Sequence, residues 1–141
     1  MENFKFENDI RVICRQAASF PEGVLEAHKI LHNELPDADQ RRFFGISYPD
    51  KNEAIIYKAA AEALYDNEAE QTGFESFTIK KGNYISEFIA NFCDDTSAIG
   101  KTFKALLTYP GIDPKGYCLE MYTSDKDVRC MVPLTATTVP R

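Results

Sequence analysis

The chain has 141 residues, of which 44% are hydrophobic, and its 22 acidic side chains outnumber the 16 basic ones to give a net charge of −6. This length fits one domain, over 1–141, that buries its own core and needs no metal or disulfide for stability. The acidic balance, without any cluster of Lys and Arg, argues against direct nucleic-acid binding. Aromatic residues are abundant, with 7 Tyr and 10 Phe, whereas Trp is absent.

The amino end lacks the basic and apolar regions of a signal peptide, and no apolar run approaches the roughly 18 residues that a membrane helix needs. We therefore expect a cytoplasmic protein without membrane contact. The four cysteines, Cys14, Cys93, Cys118 and Cys130, form no Cys-x-x-Cys pattern. They are expected to be reduced and to serve neither a zinc site nor a redox pair.

The first half of the chain predicts the order strand, helix, strand, strand. Apolar residues alternate over 10–15, which is typical of a strand buried mainly on one face. A capping-box pattern and an apolar stripe then predict a helix that ends at Pro36. The stripe consists of Val24, Leu25, His28, Leu31 and Leu35. Segments 42–48 and 53–64 flank a turn-rich tetrapeptide and are predicted to pair as a hairpin.

The second half repeats this order. Its strands are predicted at 75–79, 83–92, 117–122 and 128–133. The first two are expected to form a hairpin around Gly82, and the last two to form another. Between the pairs, N-cap residues at 94–96 precede an apolar stripe over 99–107, which predicts a second helix.

The two halves resemble copies of one unit. Pro36 corresponds to Pro110, and Tyr48 to Tyr122, at a common offset of 74. A single strand-helix-strand-strand unit has a core too small to be stable alone. We therefore predict an α+β domain of two pseudo-symmetric units that share a curved antiparallel sheet with both helices on one side. Its core should span about 8–134, with a tail over 135–141.

Glu120 is the charged residue that does not fit its surroundings. It interrupts the otherwise uncharged segment 117–122, and the offset aligns it with Ile46. Strand alternation places it on one face with Cys118 and Tyr122. If that face is buried, the carboxyl group must be paired, hydrogen-bonded or protonated. If the face is exposed, Glu120 is simply solvated.

Aromatic residues in the predicted strands supply a second pattern. They are Phe44, Tyr48, Tyr57, Tyr84, Phe88, Phe92, Tyr117 and Tyr122. Core packing is the ordinary role of such residues. A few of these rings around a carboxylate would instead form a box for an organic cation, each ring adding about 0.5–2 kcal/mol.

His28 and His32 have the i, i+4 spacing of a metal pair on a helix, but the segment lacks the Glu of a zincin motif. We expect His28 to pack, His32 to be solvated and no metal to bind. Nucleophile-elbow and phosphate-binding glycine motifs are also missing, so no cofactor is predicted.

Four short segments carry a resemblance to a known family. They are FFGISY at 43–48, KGNY at 81–84, LEMY at 119–122 and MVPL at 131–134. Over about 8–134 the chain resembles the GyrI-like small-molecule-binding domain, which is the effector-binding domain of AraC-type and MerR-type multidrug-responsive regulators. It is most similar to the stand-alone members, since no residues remain for a helix-turn-helix.

The resemblance implies an aromatic pocket where the halves meet, with Glu120 as the central acid that recognises the positive charge of the ligand. Tyr84 and Tyr122 match aromatic positions of the family. The other candidates, Phe44, Tyr48, Tyr57, Phe88 and Cys118, rest on strand alternation alone. The family often has Trp near this pocket, so the missing Trp leaves the size and stacking of the ligand open.

We expect a stand-alone binding module for hydrophobic, cationic small molecules, and binding rather than catalysis. One alternative is a hydrolase of strained electrophiles such as cyclopropane-bearing genotoxins, with Glu120 as the general acid or base. Another is a gyrase-inhibitor-like interaction protein with a topoisomerase or regulator as partner. A homodimer also remains open.

Overall fold

The computed structural model describes residues 1–95 and 97–135, which form eight strands and three α-helices. The strands are β1 (Glu2–Phe6), β2 (Ile10–Gln16), β3 (Phe43–Pro49), β4 (Ile55–Glu62), β5 (Glu75–Ile79), β6 (Gly82–Ile89), β7 (Cys118–Tyr122) and β8 (Val128–Pro133). The helices are α1 (Val24–Glu34), α2 (Glu68–Thr72) and α3 (Ala98–Leu106), with short 3-10 turns at Ala38–Gln40 and Phe92–Asp94.

All eight strands belong to one curled antiparallel sheet in the order β1-β6-β8-β7-β3-β4-β2-β5. The central pair is β3 and β7, flanked on one side by β4 and β2 and on the other by β8 and β6. The units β2-α1-β3-β4 and β6-α3-β7-β8 therefore meet at β3 and β7. This arrangement confirms the predicted α+β fold with its paired halves.

Helices α1 and α3 pack on the same face of this sheet. Ala61, in the α1 core, lies in one row of paired residues with Phe43, Tyr122 and Val128, and Val128 belongs to the α3 core. Directly paired residues point to the same side of a sheet. The middle of the row, on β3 and β7, therefore lies between the two helices. In the described chain no helix is long and apolar enough to cross a membrane.

Two of the predicted helix-stripe residues do not face the sheet. Leu25 is 65% exposed and Leu107 is 48% exposed. The buried face of α1 contains the predicted Leu31 together with Ala27. Leu25 precedes Ala27 by two residues, which places it about 200° away round the helix and towards solvent.

The predicted hairpin between β5 and β6 is wrong. β5 pairs with β2 at one edge of the sheet, whereas β6 pairs with β1 and β8 near the other edge. The missed strand β1 supplies the reason: Phe6 pairs with Gly82 and Ile10 pairs with Ile79. The β1–β2 and β5–β6 segments thus run side by side round the bend, so the chain has no need to fold back at Gly82.

The other boundaries agree within a few residues, but the short helix α2 was not predicted. At the start of α3, Asp95 Oδ1 accepts a hydrogen bond from Ser97 N at 3.1 Å. The predicted capping residue Thr96 and the predicted tail beyond Thr135 lie outside the described residues.

A buried ion pair joins the turn before β3 to helix α2. The side chains of Arg41 and Glu68 are 0% and 2% exposed. Arg41 Nη1 donates to Glu68 Oε1 at 2.7 Å, and Nη2 donates to Oε2. The same guanidinium also donates to the carbonyls of Pro36 and Glu62, so every part of it is anchored.

Candidate functional site

Glu120 lies between the helices, where the two halves of the sheet meet. It pairs with Gly45 of β3 on one side and with Cys130 of β8 on the other. The residue is 7% exposed. The solvated strand face that remained an alternative therefore does not apply.

Two phenol hydroxyls hold the Glu120 carboxylate. Tyr57 Oη donates to Glu120 Oε1 at 3.1 Å, and Tyr122 Oη donates to the same oxygen. No described residue donates to Oε2. Every fully enclosed side-chain oxygen in the described part has a partner, so Oε2 retains contact with solvent.

His28 extends this network away from the carboxylate. Its Nε2 lies 2.9 Å from Tyr57 Oη. Burial, with a smaller effect from His32, lowers the pKa of His28 to about 4, so the imidazole is neutral at pH 7. Since the Tyr57 proton is directed at Glu120, the bond requires His28 to carry its proton on Nε2. The resulting chain runs from His28 through Tyr57 to Glu120.

Burial sets the electrostatics of these groups. It raises the pKa of Glu120, and the hydroxyls of Tyr122 and Tyr57 offset part of that rise. Burial and the Glu120 charge also raise the pKa of both tyrosines, so the phenols remain protonated donors. Burial raises the pKa of Cys118 on the same face to about 11, which makes it a thiol at neutral pH.

Gly45 makes room for this arrangement. A Cβ atom at position 45 would lie 2.1 Å from Tyr57 Oη and 2.8 Å from Glu120 Oε1. Any side chain there would displace the phenol from the carboxylate. A glycine inside a strand is a known sign of such close approach, and it is the signal by which this position could have been found.

Aromatic rings pack against the two phenols that hold the carboxylate. Phe20 stacks on Tyr57 with centroids 5.9 Å apart, and Phe92 contacts Tyr122 at 5.6 Å. The His28 ring meets Tyr122 edge-on at 5.4 Å. We call Glu120, Tyr57, Tyr122 and His28 the Glu120 cluster. Phe20 and Phe92, its covering rings, come from irregular segments.

The structure divides the eight predicted site residues between the two faces of the sheet. Glu120, Tyr57, Tyr122 and Cys118 share the helix face. The opposite face holds Phe44, Tyr48, Tyr84 and Phe88. Phe44 is fully buried there, and Phe88 is 41% exposed beneath the Arg129 guanidinium. The geometry therefore does not bring these four residues to Glu120.

Three contributors were not recognised in the sequence as site residues. His28 was expected only to pack, although a histidine inside an apolar stripe is itself a signal. Phe20 contacts the cluster from a loop, where strand alternation gives no information. Phe92 was expected at the end of a strand over 83–92, but it lies in a 3-10 turn beyond β6. His32 is exposed and stacks on Phe43 with centroids 4.0 Å apart.

A cleft of about 1120 Å³ lies away from the Glu120 cluster. Tyr48 and Tyr84 line it, together with residues of β5, the β5–β6 bend and the segment before β7. Glu120 is not on its wall. The expected aromatic residues thus belong to two separate places.

Comparison with known proteins identifies the fold. No family model matches the sequence, and no curated protein shows significant similarity to it. The structure of SAV2435 bound to tetraphenylphosphonium aligns with a TM-score of 0.65 at 10% identity, over 96% of this chain and 93% of that one. The integron cassette protein VCH_CASS2 from the mobile metagenome of Vibrio cholerae aligns with a TM-score of 0.67 at 10% identity, over 94% of each chain.

A hydrolase from Listeria innocua aligns with a TM-score of 0.55 at 9% identity, over 95% of this chain and 90% of that one. At such low identity these likenesses establish a shared fold. They also show that one fold accommodates a protein bound to a hydrophobic cation and a protein described as a hydrolase.

Proposed function

We propose that this chain is a GyrI-like module that binds hydrophobic organic cations at the Glu120 cluster. The observation that carries the proposal is a buried carboxylate, Glu120, whose hydrogen-bond donors are neutral phenols. Among the described residues, no Lys, Arg or amino terminus lies within ion-pair distance of Glu120. The negative charge is therefore left for a partner from outside the described chain.

Binding would use the charge and the rings together. The cation faces Oε2, the oxygen that the phenols leave open, while its apolar groups replace solvent against the surrounding rings. Phe20 is 44% exposed, and Phe92 lies in a 3-10 turn. Loop segments move more readily than strands, so these two rings separate to admit the ligand. The cation bound to SAV2435, which shares the fold, is of the class that this site would take.

The direct test is a calorimetric titration of tetraphenylphosphonium against wild type and Glu120→Gln. Gln keeps an oxygen that accepts both phenol protons but removes the charge. We expect affinity to fall by at least about tenfold, the equivalent of one charge-assisted contact. Triphenylphosphine oxide, a neutral molecule with similar rings, should bind wild type and variant equally.

Glu87→Gln is the matched control. Glu87 lies on the same sheet face and in the same row of paired residues as Glu120, but its side chain is 44% exposed and pairs with the amino terminus. Its replacement removes one negative charge without touching the cluster, so phosphonium affinity should hardly change. Equal loss in both variants would show a general charge effect and refute recognition by Glu120.

A hydrolase is the second candidate, favoured by the continuous hydrogen-bond chain from His28 through Tyr57 to Glu120. In this reaction Glu120 removes a proton from water, and the oxygen attacks a cyclopropane carbon. The strained carbon–carbon bond breaks, and its electrons pass to a carbonyl group of the substrate to give an enolate. Glu120 then returns the proton to this enolate, which regenerates the carboxylate. A raised pKa suits Glu120 to this work.

Chromatographic detection of the ring-opened product separates the two candidates. Turnover that is lost in Glu120→Gln supports hydrolysis. Stoichiometric binding of the strained substrate, with no product, leaves the binding module as the function. Tyr84→Phe serves as a control, because Tyr84 lies on the opposite face and should not alter the rate.

A further inference from the structure

The cleft of about 1120 Å³ has aromatic walls of its own. Phe77 meets Tyr117 edge-on with centroids 5.4 Å apart, and Tyr84 lies 6.4 Å from Tyr117. Tyr48 lines the cleft at the end of β3. This volume is large enough for a drug-sized molecule, and flat rings are the usual lining of such sites.

A closed hydrogen-bond circuit holds two of these rings in place. Lys80 N donates to Tyr117 Oη at 3.1 Å, and Tyr84 Oη donates to Lys80 O at 2.7 Å. The two phenol oxygens are 2.7 Å apart, and with the Tyr84 proton committed to Lys80, Tyr117 is the donor between them. Neither phenol proton is left for a ligand.

Because the phenol protons are used, charge recognition falls to the cations of the cleft. Its lining contains Lys80, Lys81 and Lys115 but only one acid, Asp113. Asp113 Oδ1 is occupied by the backbone N–H of Lys115 at 2.9 Å. Within the described chain, none of the three ammonium groups forms an ion pair with a carboxylate. Asp9 also lies beside the cleft, where its Oδ1 accepts a hydrogen bond from Lys81 N at 2.8 Å. Three ammonium groups thus face two carboxylates, so the cleft has a local excess of positive charge on a chain of net charge −6.

We propose that the cleft is a second ligand site, selective for organic carboxylates with a flat apolar body. The body packs between Phe77, Tyr117 and Tyr48, and the carboxylate is bound by the ammonium groups of Lys80 and Lys115. The occupant has the opposite charge to that of the ligand proposed for the Glu120 cluster. The inference does not depend on the function of that cluster.

The test uses 1-pyrenebutyrate and its neutral amide, followed by pyrene fluorescence. Wild type should bind the carboxylate more tightly than the amide. Lys80→Gln combined with Lys115→Gln should weaken carboxylate binding by about fivefold to tenfold and leave amide binding unchanged, since both lysines are exposed. Added salt should weaken only the carboxylate complex.

Two further measurements locate the ligand. Amide chemical shifts should move at Thr78 and Asn83, which line the cleft, and not at Gly45 beside Glu120. Glu120→Gln should leave pyrenebutyrate affinity unchanged. The proposal is overturned if the amide binds as tightly as the acid, if the double variant has no effect, if the shifts cluster around Gly45, or if no saturable binding occurs.

Discussion

Two carboxylates are buried in the described part of the chain, and they are treated in opposite ways. Glu68 faces a guanidinium, and its hydrogen bonds to Arg41 hold the pKa below the ordinary value. Glu120 faces phenols, and burial holds its pKa above that value. The first carboxylate is paired with a cation within the fold, whereas the second has only neutral phenols as hydrogen-bond donors and no cation beside it.

This difference separates an acid that is used in folding from the acid that we propose binds a ligand. The Arg41–Glu68 pair ties the segment before β3 to α2, so its charge is fully used in holding the chain together. A protein gains no stability from burying an acid without a cation, because desolvation is paid without a Coulombic return. A buried Glu120 without a cation at the junction of the halves therefore supports the binding role that we propose for it.

The largest predicted effect is the stability cost of Glu68→Gln. This change leaves the Arg41 guanidinium buried without its counter-charge, and breaking such a pair costs about 3–5 kcal/mol. Glu120→Gln should change the free energy of unfolding by less than about 1 kcal/mol, because the amide oxygen still accepts from both phenols. Urea unfolding of the two variants measures both values.

If Glu120→Gln were as destabilising as Glu68→Gln, the contrast between the two acids would fail. Glu120 would then be part of the structural framework. A higher free energy of unfolding in Glu120→Gln than in wild type would strengthen the contrast, since it would show that the buried Glu120 carboxyl destabilises the fold.

The second prediction concerns the space beneath the Glu120 cluster. Gly45→Ala should destabilise the fold by about 1–3 kcal/mol, the usual cost of overpacking a filled core, because the new methyl group collides with Tyr57 Oη. Gly100→Ala is the control: nothing lies within 4 Å of a Cβ there, and alanine favours the α3 helix. Thermal or urea unfolding should give opposite signs for the two substitutions.

Equal, small effects of these two glycine replacements would mean that Tyr57 can move away without loss. In that case the phenol bond to Glu120 is not part of a rigid cluster. Gly45→Ala should also bind tetraphenylphosphonium less tightly than wild type, which links the stability measurement to the proposed function.

Strand alternation and the pseudo-repeat predicted the half of the site that lies on regular structure. Period-two patterning placed Glu120, Cys118 and Tyr122 on one face, and the offset identified Glu120 as out of place. Alternation within one strand could not show which residues of a second strand lie on the same face of the sheet as Glu120. For this reason Phe88 was grouped with Glu120, and the family resemblance added Tyr84, although the sheet directs both residues to the other side.

The parts that were missed depend on long-range pairing. β1 has no strong pattern of its own, and its pairing with β6 decides that β5 and β6 form no hairpin. Arg41 and Glu68 are 27 residues apart and meet only after α2 docks. Phe20 reaches the cluster from a loop, so its role follows from tertiary contacts alone.

The third prediction uses pH to distinguish the two acids. The folded pKa of Glu68 is below its ordinary value of 4.5, so its stabilisation is present above that pH and is lost as the pH falls. The folded pKa of Glu120 is above 4.5, so stability declines as the pH rises from 4.5 through the folded pKa. The difference in unfolding free energy between each Gln variant and wild type, measured from about pH 3 to pH 8, isolates each group.

The difference in unfolding free energy between wild type and Glu68→Gln should shrink towards acid pH. The unfolding free energy of wild type should fall relative to that of Glu120→Gln as the pH rises towards neutral. Matching slopes for both variants would contradict the opposite pKa shifts. Tetraphenylphosphonium affinity should rise over the same range in which Glu120 ionises, because the cation binds the charged form.

The smallest predicted effect is that of a single phenol on the Glu120 charge. Tyr122→Phe removes one of two donors to Oε1, which should cost about 0.5–1.5 kcal/mol and raise the pKa of Glu120 further. Carboxyl carbon shifts of Glu120 followed by NMR over a pH titration report that pKa directly. Tyr84→Phe is the matched control, because it removes a buried phenol hydroxyl from the circuit on the other face. If both substitutions change the Glu120 pKa equally, the phenols act through the sheet as a whole. If only Tyr122→Phe changes it, the hydrogen bonds to Glu120 control its ionisation. A ligand that displaces Tyr122 must then replace the lost donor with positive charge.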